Sequence, residues 1–103
     1  MNTAQEIQNA ADLLREANAA APAGSLGTWE PFYEARHRDR QLTIWTFGLR
    51  VGNIFAAIVE PAFGGWVWSV SYVLGVRGKA PTATEALAAA REAAQEEARK
   101  WAR

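Results

Sequence analysis

Side chains able to do chemistry are few in this chain. The single histidine, His37, lies in the run Glu34-Ala35-Arg36-His37-Arg38-Asp39-Arg40, where neighbouring guanidinium groups oppose its protonation. One histidine and no cysteine exclude a His-rich or Cys-rich metal site, a disulfide and a thiol nucleophile. Asp12 and Asp39 are the only aspartates, and most glutamates fall on helix-like segments where charges meet water. Ser25, Ser69 and Ser71 have no nucleophile-elbow glycines around them. The stretch GVRGKAPT has glycines and a lysine without the spacing of a phosphate-binding loop. The expectation is a protein that is not an enzyme, with no catalytic residue, no cofactor, no metal and no small-molecule substrate.

Binding chemistry has more to work with. Arg36, Arg38 and Arg40 would share one end of a hairpin, where they could contact phosphates of nucleic acid. Equally, they could be a solvated tip that resists edge aggregation, as the interleaved Glu34 and Asp39 suggest. In GGWVWSVSYVL, Trp66, Trp68, Val70, Tyr72 and Leu74 occupy alternate positions, so a strand would stack them on one side. That row either fills the layer beneath shallow alanine-rich helices or faces outward as a recognition surface. Phe63, in the PAFGG turn, either folds back on the sheet or anchors a partner. Trp45 belongs to a second aromatic segment. The partner-binding candidates are thus Trp45, Phe63, Trp66, Trp68 and Tyr72.

These side chains need elements to hold them. Residues 3–18 read as a helix, with Ile7, Ala10, Ala11, Leu14 and Ala17 at helical spacing and Thr3 with Glu6 as a capping box. Pro22 and Gly24 end it. The periodicity then shortens. Residues 29–37 form a ragged strand carrying Pro31, Arg38 to Gln41 a turn, Leu42 to Leu49 a second strand, and Ile54 to Glu60 a third. The tryptophan row, Gly64 to Leu74, is the fourth. The connection GVRGKAP reads as loose chain. Thr82 with Glu85 then caps a helix whose stripe is Leu87, Ala90, Ala94, Ala98 and Trp101, and whose Glu96 and Lys100 can pair.

The expected fold is therefore a single α+β domain over residues 1–103. It would be a two-layer sandwich, a four-stranded antiparallel meander with the N- and C-terminal helices on one face, in the order α-β-β-β-β-α. The second and third strands are apolar on both faces: Leu42 and Ile44 against Trp45, Phe47 and Leu49, and Ile54 and Ile58 against Phe55 and Val59. Two helices cover one face only, so the other is expected to carry an apolar patch.

Composition bounds the rest. Across 103 residues, eleven Lys plus Arg balance eleven Asp plus Glu, without the basic excess typical of nucleic-acid binders. The N-terminus has no basic start or apolar run of a signal peptide. No segment reaches the roughly 20 apolar residues of a membrane helix. The reading is a cytoplasmic protein that does not engage membranes.

The segment GWVWSVSYVLGVRGKAPTATEALAAAREAA, residues 65–94, resembles the ending of small α+β proteins carried by bacteriophages and mobile elements, in which a hairpin leads through a glycine loop to a capped alanine-rich helix. Some of these, the anti-CRISPR proteins among them, block a host enzyme or defence complex. The resemblance implies a non-enzymatic inhibitor but carries over no site residue, and the neutral net charge departs from the acidic DNA mimics of that group. The function expected is protein binding through an apolar sheet face or edge, the partner being another protein or a second copy in a homodimer. The alternative is nucleic-acid binding through the Arg36, Arg38 and Arg40 hairpin.

Overall fold

Ile7, Ala10, Leu14 and Ala17, at intervals of three and four, give the first element its apolar side. In the computed structural model, which describes residues 4–32 and 46–101, helix α1 spans Ala4–Ala20 and buries only Ala10 and Leu14. The strands are β1 (Thr28–Pro31), β2 (Phe47–Val51), β3 (Ile54–Ala62), β4 (Gly65–Val70) and β5 (Arg77–Ala80). Helix α2, Ala83–Trp101, closes the described chain. The fold is α+β with a five-stranded sheet in the order β1-β2-β3-β4-β5, each neighbouring pair antiparallel.

The sequence reading of four strands misses β5. Arg-Gly-Lys-Ala has none of the β-branched or aromatic residues that favour strands. It extends because β4 offers it a ladder, with Trp66, Val67, Trp68 and Ser69 opposite Ala80, Lys79, Gly78 and Arg77. Gly78 is required there: a Cβ at this position would come within 2.6 Å of the Trp68 ring.

A bulge corrects the expected facing of β3. Leu49 pairs with Ala57 but Arg50 pairs with Phe55, so Ala56 is the extra residue. The insertion reverses the alternation, since strand side chains have a period of two. Phe55 therefore shares the face of Ile58, and Val59 lies on the other.

That other face is the core. Trp29, Phe47, Leu49, Ala57, Val59 and Val70 pack with Leu87, Ala90 and Ala94 of α2 and with Ala10 and Leu14 of α1. Both helices thus shelter one side of the sheet. Ala86, Ala90 and Ala94 bring the α2 backbone close, and Trp66 and Trp68 fill in around it, with Trp66 stacked on Phe47 at 6.1 Å. Helix α2 begins as its residues require: the Glu85 amide donates to Thr82 Oγ1 at 3.2 Å. The Thr3 cap lies outside the described residues. The expected Glu96–Lys100 pair is replaced by Glu97–Lys100 at 2.9 Å and by Glu96–Arg99.

The loop from α1 to β1 is held by side-chain hydrogen bonds as well as by the packing of Leu26 on the core. The buried Arg91 of α2 donates to the carbonyls of Leu26 (3.2 Å) and Gly27 (3.2 Å), to Ala17 at the end of α1 (3.5 Å) and to Asn18 Oδ1 (3.4 Å). Gln95 accepts from the Leu26 amide at 2.6 Å. Burial lowers the pKa of Arg91 by opposing its charged form.

Candidate functional site

Two residues turn β3 into β4, Phe63 and Gly64. Gly64 takes φ +80°, a conformation that other residues rarely adopt, and this fixes Phe63 at the turn tip. The Phe63 ring is fully exposed and does not fold back on the sheet. An exposed aromatic on a two-residue turn is preorganised, because its backbone loses little freedom when a partner covers it.

Two grooves lie along β4 and β5, and the first of them begins at that tip. One, of about 520 Å³, lies between the hairpin and the end of β5 and is lined by Phe63, Trp66, Val67, Lys79 and Pro81. The second, of about 590 Å³, lies on the face away from the helices; Ile58 and Val67 form its floor and Glu60, Ser69, Arg77 and Lys79 its margins. Val67 and Lys79 belong to both, so the surface is continuous. Arg77 and Lys79 are exposed and make no ion pair among the described residues. Two free cations beside a serine hydroxyl suit an anionic group. No hydrogen bond joins Ser69 to another side chain among the described residues, and it faces Arg77 across the β4–β5 pair.

Toward β1 the same face is closed by its own side chains. The Phe32 ring meets Phe55 edge-on at 4.9 Å, the Arg50 guanidinium lies 4.4 Å above the Phe55 ring, and Arg50 pairs with Glu30 at 2.7 Å. The open face is thus less apolar than the strand composition suggests, because Phe47, Leu49 and Val59 are spent on the helix side and a charged pair roofs Phe55. Among the described residues, Ile58 and Val67 are its open apolar part.

The other end of the molecule carries a separate apolar depression of about 370 Å³, lined by Leu26, Val51, Ile54, Tyr72, Ala98 and Trp101. Trp101, placed on the core stripe by its spacing, is 74% exposed there, and Leu74 is fully exposed in the turn before β5. A third groove, of about 360 Å³ between the helices, contains Arg91, whose donors are already taken by α1 and its loop.

The candidate residues therefore divide. Phe63 stands free. Trp66 and Trp68 pack against the core on the helix face, half-buried. Tyr72 lies beyond β4, and its hydroxyl donates to the Ala94 carbonyl of α2. Trp45, His37, Arg36, Arg38 and Arg40 lie outside the described residues. The residues flanking that segment, Phe32 and Thr46, are joined by an amide-to-carbonyl bond of 2.8 Å at the sheet end that also carries Phe63. Sequence reasoning missed Arg77 and Lys79 as a site because it read their segment as loop; Arg-Gly-Lys-Ala carries no local strand signal, and only its pairing with β4 aligns the two side chains.

Among the described residues no group of three His, Asp or Glu side chains could hold a metal ion, and no helix is long and apolar enough to cross a membrane. Comparison with protein-family models, with curated proteins and with solved structures finds no match.

Proposed function

We propose that this protein acts without catalysis, by binding another protein through the open side of β3, β4 and β5 with Phe63 as an anchor. The observation that carries the reading is the fully exposed Phe63 ring on a tight turn, continuous with a groove of apolar floor and charged margins. Large aromatic side chains dominate binding energy when a partner desolvates them, and charged margins select the partner. The resemblance of residues 65–94 to phage and mobile-element proteins would make that partner a host complex and the protein its inhibitor.

The test compares tagged wild type with Phe63→Ala and with Leu74→Ala at the opposite end. A partner identified by capture with the wild type is expected to lose at least about 2 kcal/mol of affinity with Phe63→Ala, some 30-fold, and little with Leu74→Ala. An unchanged dissociation constant for Phe63→Ala rejects the surface. Light scattering at two concentrations tells whether the partner is a second copy.

Nucleic-acid binding is the second reading, favoured by the free Arg77 and Lys79 on the surface that Phe63 borders. Here Arg36, Arg38 and Arg40 would add phosphate contacts and an aromatic ring a stacking platform. Such binding should weaken steeply with salt, whereas an interface centred on Phe63 should respond weakly.

A further inference from the structure

The two edges of the sheet are finished differently. In β1, the Phe32 amide bonds to Thr46, which fixes the antiparallel alternation: the polar groups of Glu30 and Thr28 face β2, and those of Trp29 and Pro31 face outward. Both outward groups of Trp29 are occupied, its amide donating to Asn18 Oδ1 at 2.7 Å and its carbonyl accepting from Asn18 Nδ2 at 3.0 Å. Pro31 has no amide hydrogen. A side-chain amide and a proline therefore close this edge.

The β5 edge has no such closure. The Val70 amide donates to the Val76 carbonyl at 2.9 Å, so the polar groups of Gly78 and Ala80 face β4. Those of Arg77 and Lys79 face outward, and nothing pairs with them among the described residues. The same two residues direct their side chains to the open face, opposite Ser69 and Val67. They stand two residues apart in a strand, about 6.6 Å, which is also the repeat of like-facing side chains on any strand laid beside them.

We infer that β5 is a peptide-capturing edge: an extended acidic segment of a partner protein adds to it as a further strand, bonding the outward backbone of Arg77 and Lys79 while its alternate carboxylates meet their side chains. Main-chain bonds give such strand addition its affinity and alternate side chains its specificity. A second copy is a poor occupant, because antiparallel pairing of two β5 edges would set Arg77 and Lys79 against each other, and like charges directly opposite destabilise a strand pair. Glu60, on the far margin of the groove, repels acidic chains that approach across the face and leaves the edge as their place. The inference rests on the protein-binding reading above and adds the chemistry and conformation of the partner.

The probe is a short fluorescein-labelled peptide alternating glutamate with valine, read by anisotropy against the full chain. Controls are the same peptide with lysine for glutamate, the acidic peptide N-methylated at alternate amides, and a single-stranded oligothymidylate. The acidic peptide should bind at least about tenfold more tightly than either peptide control, and the double variant Arg77→Glu/Lys79→Glu should reverse the charge preference. Lys79→Pro removes an outward amide without costing a bond to β4, so it should weaken binding several-fold beyond Lys79→Ala. Should Lys79→Pro fail to fold, the N-methylated peptide tests the same bond. Equal binding of the acidic and lysine peptides overturns the inference, as does equal binding of the N-methylated peptide. Oligothymidylate binding that exceeds the peptide's and is lost in the double variant also overturns it, in favour of nucleic acid. If capture of a natural partner depends on Phe63 but ignores charge reversal at β5, the edge inference fails alone. If the peptide binds while no partner depends on Phe63, the docking reading fails and the edge stands.

Discussion

Asn18 holds Trp29 by both of its backbone polar groups, at 2.7 Å and 3.0 Å, and so stands where a neighbouring strand would otherwise lie. The contact joins the last turn of α1 to β1 and seats a tryptophan that is 2% exposed. Asn18→Ala leaves an amide and a carbonyl unpaired beside that ring. Unmet buried polar groups cost about 1–3 kcal/mol, so denaturant midpoints should fall accordingly with little change in m-value. Asn18→Asp should recover only the acceptor half. A midpoint unchanged in Asn18→Ala would show that water satisfies this edge equally well.

Arg91 is the second fastening of the same loop. Its planar guanidinium reaches acceptors on two segments at once, Ala17 and Asn18 of α1 and Leu26 and Gly27 of the loop, a spread that a single ammonium group does not match. Arg91→Lys should lower stability by about 1.5–3 kcal/mol and speed amide exchange at Leu26 and Gly27. Exchange rates at those amides that match the wild type would contradict this role.

Gly78 lets Trp68 cross β5. Gly78→Val adds atoms where the ring lies 2.6 Å from a Cβ, so the indole must move or the strand must peel away. Forced repacking of this kind costs about 1–3 kcal/mol. The expected result is lower stability with a red-shifted tryptophan emission; an unshifted spectrum and unchanged midpoint would count against it.

Tyr72 titrates above the usual tyrosine range, because burial opposes the phenolate and the nearby Glu97 charge opposes it further. The folded chain therefore holds this proton more tightly than the unfolded chain. Stability from this group is whole below pH 10 and is lost as pH rises through the higher folded value. Tyr72→Phe should flatten the alkaline fall in stability, measured by denaturant titration at several pH values above 9. An identical slope in the variant would assign the fall to other groups.

Phe63 should be dispensable for folding. Its ring touches little in the isolated chain, so Phe63→Ala is expected to change stability by no more than about 0.5 kcal/mol. Loss of binding by this variant can then be read as loss of contact. A large drop in melting temperature would mean that the ring packs in solution.

The helices, the Thr82 cap, the Phe63 turn and the α+β class were legible in the sequence because each is decided over a few residues by propensity, capping and periodicity. The identity of the core face was left open, since alternation sorts a strand's side chains into two sets without saying which set meets the helices. Local signals could not show the bulge at Ala56, which moves Phe55 to the open face, because a bulge is a property of two paired strands. Nor could they show β5, a polar tetrapeptide that is extended only because β4 lies alongside it. The contrast between an edge closed by Asn18 and an edge left open at Arg77 and Lys79 is likewise tertiary. It depends on which backbone groups face outward, and the chain settles that only when its strands come into register.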